Sequence, residues 1–443
     1  MTSSKENKLP RVLVISSADP FVGPGIVGLD HYNSLKSGGL EVDFLTKYPV
    51  DGHPEFISVL DSKAKEREKS FFYKGFRKVK AFLTNNPLLH QTSDHCFFYT
   101  KENDPEVPVE QVLSKVEKKY DVVYIMFWQG LLSFATIEAL YDKLQCQFQF
   151  RCVDYSPMSG GCHFVGNCTR FKTGCGKCPG IKSNKENDFT RWNVAYRKRI
   201  YEKVKPIVWG NSYMNTFYRQ SFLLKDYDRC EVVLPLMNNE TYKPLNIKDC
   251  RQKYNIPTEK DFLMFVGCQH LDDERKGMKF LLRALEILYN RLSDDERESV
   301  LLVLAGHDIK PIEDSLSFDY VYLGYVKQHQ LPEIYSMSNV YLSPSVNDAG
   351  PSMVNQSLSC GTPVVAFEMG TALDVVKGQD TGYCAKLCDS DDFAKGIEMI
   401  FRMSSERYTE MRNHCREMAL KQTSEKAHVD GFLKVWRKYT RVF

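Results

Sequence analysis

Short runs of β-branched and aromatic residues recur along the chain, each followed by a helical or loop segment. This alternation constrains the fold more than any other feature. The first half carries RVLVIS (11–16), LEVDFLT, DVVYIMFW, FQFRCVD and PIVWGN; the second carries FLMFVG, VLLVLAG, DYVYLGY, VYLSPS and PVVAF. Between several of them lie amphipathic stretches such as KGMKFLLRALEILYNRL, with apolar residues at Met278, Leu281, Leu282, Leu285 and Leu288. Strands joined by crossover helices pair in parallel. The pattern occurs twice, so an α/β protein with two parallel-sheet domains is expected. Ligands of open parallel sheets bind beyond the carboxyl ends of the strands, which predicts two domains facing a central cleft.

The chain has 443 residues, too many for one compact core and enough for two. PLMNNETYKPLN (Pro235 to Asn246), polar and flanked by prolines, is the expected linker. The expected domains are 1–235, 236–420 and a C-terminal helix at 421–443 packing back on the first domain. A net charge of +3 argues against a nucleic-acid partner. No apolar run approaches the roughly 20 residues that cross a bilayer. The first residues, MTSSKENKLPRVLVISS, contain no signal-peptide h-region, and with 14 cysteines they predict a reducing, cytoplasmic setting.

The segment from Ser345 to Phe367, SVNDAGPSMVNQSLSCGTPVVAF, combines a turn, a helix start and a strand. Pro351 suits the first helical position, where its missing N–H costs nothing. The amides of Ser352, Met353 and Val354 would then point toward any anion. Gln356 can donate and accept together, matching a pair of sugar hydroxyls, whereas ionised Asp348 only accepts. An ordinary strand–turn–helix with capping residues would use the same spacing.

This segment resembles the donor-site signature of family-four retaining glycosyltransferases, whose pattern is two glutamates eight residues apart before Cys-Gly-x-Pro-Val-Val-Ala. Asp348 falls on the first glutamate, Gln356 on the second, and CGTPVVA is present from Cys360 to Ala366. The resemblance implies two tandem Rossmann-like domains (the GT-B fold) and a nucleotide-sugar donor, transferred with retention and without a catalytic metal. It implies that Asp348, with Gly350, Pro351 and Ser352, holds the sugar, that Gln356 bonds the ribose hydroxyls, and that Asn355 belongs to the donor site beside it. Gly370 and Thr371 would lie near the donor phosphates, with Asp374 where a glutamate is usual. Arg275 and Lys276, just before a helix, form the expected cationic pair for a diphosphate. Gly23 and Gly25, in FVGPGIVGLDHY, would let backbone amides approach a phosphate or the acceptor.

Between residues 152 and 180, Cys162, Cys168, Cys175 and Cys178 have the spacing C-x5-C-x6-C-x2-C. Four thiolates suit structural zinc, with an iron–sulfur cluster sharing the ligands and His163 or Cys152 as substitutes; unliganded thiols or disulfides are the alternatives. The cluster also resembles an insertion seen in a subset of polysaccharide-building members of the family. Asp154, ending FQFRCVD, is a candidate polar contact to acceptor or donor sugar, or a turn aspartate. The segment 63–82, KAKEREKSFFYKGFRKVKAF, interleaves eight basic residues with aromatics, suiting an anionic membrane surface or a lipid-diphosphate acceptor, or else a solvated helical face. Together these features predict a glycosyltransferase of surface-polysaccharide assembly, acting on a glycan or lipid-linked glycan at the inner face of the membrane. A non-catalytic zinc-stabilised sugar- or nucleotide-binding protein and a nucleotide-sugar epimerase are the alternatives.

Overall fold

The computed structural model describes residues 8–23, 25–84, 86–92, 101–151 and 154–440. Pro24, Cys152 and Val153 lie outside them, and with them the reading of Cys152 as a ligand. The chain divides into two units. The first takes residues up to Gly210, Met214–Val233 and the chain from Val429 on; the second takes Asn211–Tyr213 and Leu234–His428.

The first unit holds a seven-stranded sheet in the order β3-β2-β1-β4-β5-β6-β7. Its strands are β1 (Arg11–Ser16), β2 (Glu41–Thr46), β3 (Ile57–Ser58), β4 (Val122–Ile125), β5 (Gln147–Arg151), β6 (Ile207–Gly210) and β7 (Cys230–Val232). All pairings are parallel. Three helices of this unit matter below: α1 (Gly25–Ser37), α2 (Ser62–Lys69) and α3 (Phe71–Leu83). Val12, Val14, Tyr124 and Trp209 build its core with Phe432 and Val435 of the helix Glu425–Thr440.

The second unit holds six parallel strands in the order β10-β9-β8-β11-β12-β13. They are β8 (Phe262–Gly267), β9 (Val300–Ala305), β10 (Tyr320–Tyr322), β11 (Val340–Ser343), β12 (Val364–Phe367) and β13 (Gly382–Ala385). Phe262, Met264 and Val266 pack into one hydrophobic cluster, and Leu263 and Phe265 into another. Both faces are therefore covered, which is why these strands read as continuous apolar runs. In each sheet the chain winds outward from its first strand and then reverses. That is the Rossmann order, with a switch point between β1 and β4 and again between β8 and β11.

The fold is α/β with two Rossmann-like parallel sheets, as expected. Three strands escaped the sequence: β3, β7 and β13. Each is an edge strand of two to four residues without an apolar run to mark it. In the helix Met278–Arg291, Ala284 is buried, whereas Leu282 is only half-buried. No helix among the described residues is long and apolar enough to cross a membrane.

Glu102 and Arg197 form an ion pair buried from solvent in the first unit. The Glu102 carboxylate also accepts from Phe134 N–H (3.0 Å), and Arg197 donates to the Ser159 carbonyl (2.6 Å) and to that of Ser156. Removing one partner strands the other charge. Glu102→Ala is expected to cost about 3–5 kcal/mol in urea unfolding, whereas Glu138→Ala, at a solvent-facing pair with Arg199, should cost under about 1 kcal/mol.

Candidate active site

At the switch point of the second sheet, the loop after β8 meets the loop after β11. Lys276 Nζ lies 2.7 Å from Asp348 Oδ2, and Asp348 Oδ1 accepts from Gly350 N–H (3.1 Å). The sequence assigned these two side chains to phosphate and sugar; the structure pairs them. Arg275 turns back on Asp273, with Nη2 2.6 Å from Oδ2, while its carbonyl accepts from Val346 N–H (2.8 Å) and Asn347 N–H (3.3 Å). Those two bonds pin the loops together. Lys276 is thus the member of the expected cationic pair that reaches the Asp348 loop.

Gly277 makes the approach feasible. Its φ is +68°, and a Cβ there would sit 1.9 Å from the Pro344 carbonyl oxygen. Gly370, with φ +57°, has the same role in the loop after β12, where a Cβ would lie 2.7 Å from Pro351 Cδ. The turn at Gly350–Pro351 and the turn at Gly370–Thr371 therefore pack directly on each other.

Pro351 is not the first helical residue. It caps the helix Ser352–Ser359 in an extended conformation, and its carbonyl takes the N–H of Val354 (3.2 Å). This removes Val354 from the three amides expected to meet an anion. Ser352 and Met353 open the helix, where amides have no intrahelical carbonyl to reach. Gln356 is buried and its Oε1 accepts from Tyr335 O–H (3.0 Å), so half of its amide is already committed. Burial keeps the Tyr335 phenol protonated, its pKa far above the usual value. Asn355, one residue earlier, is also buried, and among the described residues neither its Oδ1 nor its Nδ2 has a hydrogen-bond partner; the same is true of Thr371 Oγ1. Each such group costs about 1–3 kcal/mol unless a ligand or water satisfies it.

Asn211 and Ser212, which follow β6 in sequence but belong to the second unit, were not found from the sequence. Asn211 Nδ2 donates to the Ala349 carbonyl (2.7 Å), and Ser212 holds Asp374 through its N–H (3.1 Å) and its hydroxyl. GNSYMN carries no motif that would have signalled this. Asp374 is engaged by Ser212.

In the first unit, Gly23 lies in the turn before α1, and Gly25 opens that helix against the Asp19 carbonyl. Asp154 follows β5 and is only 1% exposed. Its Oδ2 accepts from His163 Nδ1 (2.7 Å) and Gln129 Nε2 (2.9 Å), and its Oδ1 from Ser156 N–H (2.6 Å). A carboxylate so enclosed does not touch a sugar directly. The accessible member is His163, whose side chain is 26% exposed. Asp154 positions it, a pairing across eight intervening residues that no motif signalled.

Cys162, Cys168, Cys175 and Cys178 line one small cavity of about 20 Å³. Cys175 has a left-handed φ of +60° and Lys177 of +41°, so the C-x2-C segment forms a tight knuckle. Burial raises the Cys175 thiol to about 12 and Cys178 to about 11. Among the described residues no group of three or more His, Cys, Asp or Glu side chains is arranged to hold a metal ion. The four thiols share a cavity without reaching the cage geometry expected from their spacing.

Comparison with known proteins bears on the second unit above all. Residues 246–422 match the family model "Glycosyl transferases group 1". The matched segment contains Lys276, Asp348 and every other second-unit position singled out above except Asn211 and Ser212. O-antigen chain mannosyltransferase B of Escherichia coli is 28% identical over 179 residues, covering 38% of this chain and 44% of the relative. The first curated relatives are matched over only 38–50% of their own length. Over 98% of the chain the fold is that of a sucrose-phosphate synthase from Thermosynechococcus elongatus, with TM-score 0.64, 16% identity and all of that chain covered. Anabaena HepE in complex with UDP superposes over 97% of this chain and 100% of its own, with TM-score 0.61 and 12% identity. These likenesses identify the GT-B fold.

The close approach at Gly277 can be separated from backbone strain alone. Gly378 has a similar φ, +70°, but open space where a Cβ would go. Gly378→Ala is expected to cost about 1–2 kcal/mol in thermal unfolding. Gly277→Ala should cost more, because its Cβ would also meet the Pro344 carbonyl; equal costs would show that the close approach adds nothing to the strain.

Proposed function

We propose that the protein is a glycosyltransferase that takes a sugar from a nucleotide-sugar donor and passes it, with retention, to a glycan or lipid-linked glycan of surface-polysaccharide assembly. The observation that carries this reading is the Lys276–Asp348 pair at the switch point of the second sheet, beside the opening of the helix Ser352–Ser359. The UDP bound to the HepE neighbour and the O-antigen name of the E. coli relative support the donor and acceptor classes.

In this mechanism the donor diphosphate takes Lys276 as its counter-ion. Asp348 is then released from Lys276 to accept from sugar hydroxyls. The acceptor oxygen bonds to the anomeric carbon as the bond to the phosphate breaks, and the nucleoside diphosphate leaves carrying the electron pair. Its phosphate takes the acceptor proton. Lys276 and the amides of Ser352 and Met353 stabilise the charge that develops there. Asn355 and Gln356 supply hydrogen bonds to the nucleoside, and Thr371 to a phosphate oxygen. In the first unit His163, held by Asp154, is a separate candidate for contact with a sugar hydroxyl.

Released nucleotide, measured over a panel of UDP-, GDP- and ADP-sugars with and without glycan acceptors, tests the reading. Lys276→Met should lower turnover about 10²–10³-fold with the fold retained, and Asp348→Ala should act on turnover more than on nucleotide affinity. Tight donor binding with no turnover for any acceptor would instead leave a sugar-nucleotide-binding protein.

The four cysteines are proposed to bind structural zinc, which would tie the 162–178 loop together and supply no catalysis, since four protein ligands leave no open position. Their common cavity and the left-handed knuckle support this, although the thiols must deprotonate and close inward by a side-chain rearrangement. Metal analysis of the purified protein should find about one equivalent of zinc, held by four thiolates. Chelation should lower the melting temperature. Under half an equivalent, or a melting point indifferent to chelator, counts against it.

A further inference from the structure

A helix on the surface of a soluble domain turns its apolar stripe to the core and its charges to water. α3 does the reverse. Its sequence is FFYKGFRKVKAFL, and at 3.6 residues per turn Phe71, Phe72, Phe76, Val79, Phe82 and Leu83 fall within one arc of about 140°. Lys74, Arg77, Lys78 and Lys80 occupy the remainder, and the helix has no acidic residue. The six apolar side chains are between 57% and 86% exposed. The half-buried residues are Tyr73 and Ala81, on the basic side, where Arg77 also approaches Glu106 (3.9 Å). No residue of α3 is buried. The helix is thus attached by its polar side and displays its apolar side.

Charge narrows what can cover this face. α2 and α3 together carry eight basic and two acidic residues. Beside them a cavity of about 340 Å³, at the carboxyl ends of β1 and β2, is lined by Lys47, Lys65, Lys69 and Lys74. Lys47 is neutralised there by Glu68 and Glu106, at 3.2 and 3.4 Å. Lys78 and Lys80 are in no ion pair among the described residues and flank the phenylalanines on both sides. A second protein chain would need both an apolar groove and a matching acidic rim. A bilayer of anionic lipid supplies both without shape complementarity: acyl chains for the phenylalanines and headgroup phosphates for the lysines.

We propose that α3 is a membrane-docking helix, lying in the plane of an anionic lipid surface with Phe71, Phe72, Phe76, Phe82 and Leu83 inserted below the headgroups. This does not depend on the catalytic reading, and a failure of the donor assay would leave it standing. A lipid-linked acceptor, if that reading holds, would be met at the surface where it resides.

The test is vesicle flotation of the full chain with phosphatidylcholine alone and with phosphatidylcholine containing phosphatidylglycerol. Binding is expected only to the anionic vesicles, weakening as salt is raised. Lys78→Gln with Lys80→Gln should lower the partition coefficient roughly thirtyfold, taking about 1 kcal/mol for each basic side chain. Phe72→Ser with Phe76→Ser and Phe82→Ser should abolish binding, with the melting temperature unchanged because these side chains touch no core. Equal binding to neutral vesicles would overturn the proposal. So would anionic binding that survives the phenylalanine changes, or a concentration-dependent dimer that those changes dissolve, since the face would then be a protein interface.

Discussion

Parallel strands can be joined only by crossovers that bring the chain back to the same edge of the sheet. In both units this requirement fixes where chemistry can occur. At the switch point the connections leave in opposite directions, so the loop after the first strand and the loop after the fourth lie side by side. In the second unit these are the loops after β8 and β11. The Arg275 carbonyl, bonded to the amides of Val346 and Asn347, draws them together, and only a glycine at position 277 fits against Pro344. Lys276 then reaches Asp348. Each later feature, from the Gly350 amide on Asp348 to the contact of Gly370 with Pro351, is built on that juxtaposition.

The first unit solves a similar problem with buried polar groups. Glu102 and Arg197 are enclosed, and Arg197 spends its remaining donors on the carbonyls of Ser156 and Ser159. Those bonds hold the chain between Asp154 and Cys162 in one path. Asp154 is left to orient His163, and the four cysteines are left around a single cavity. A buried ion pair of this kind adds little net stability over apolar packing, yet losing one partner leaves an uncompensated charge.

Central strands were legible because burial on both faces demands uninterrupted apolar residues, as in FLMFVG and RVLVIS, which match β8 and β1 residue for residue. The edge strands β3, β7 and β13 were not, because their backbone pairing makes no such demand on side chains. In the site, Asp348 and Gly350 were singled out through the resemblance, and Lys276 through its place before a helix; the structure brings the three together. Asn211 and Ser212 were not legible, since their partners, Ala349 and Asp374, are distant in sequence and any short polar pair could stand in their place. The sequence offered His163 only as a substitute metal ligand, and its bond to Asp154 was not read from it.

By itself the sequence determined the two parallel sheets, the loops that carry polar residues and the basic, aromatic character of residues 63–82. These follow from periodicity and composition, which act locally along the chain. Only the tertiary structure decided which of those groups meet. It pairs Lys276 with Asp348, encloses Asp154 behind His163, commits half of Gln356 to Tyr335 and leaves Asn355 without a partner among the described residues. It also decided that α3 turns its phenylalanines outward. A helical wheel shows that a stripe exists, but the direction it faces depends on how neighbouring elements pack, and no local rule contains that.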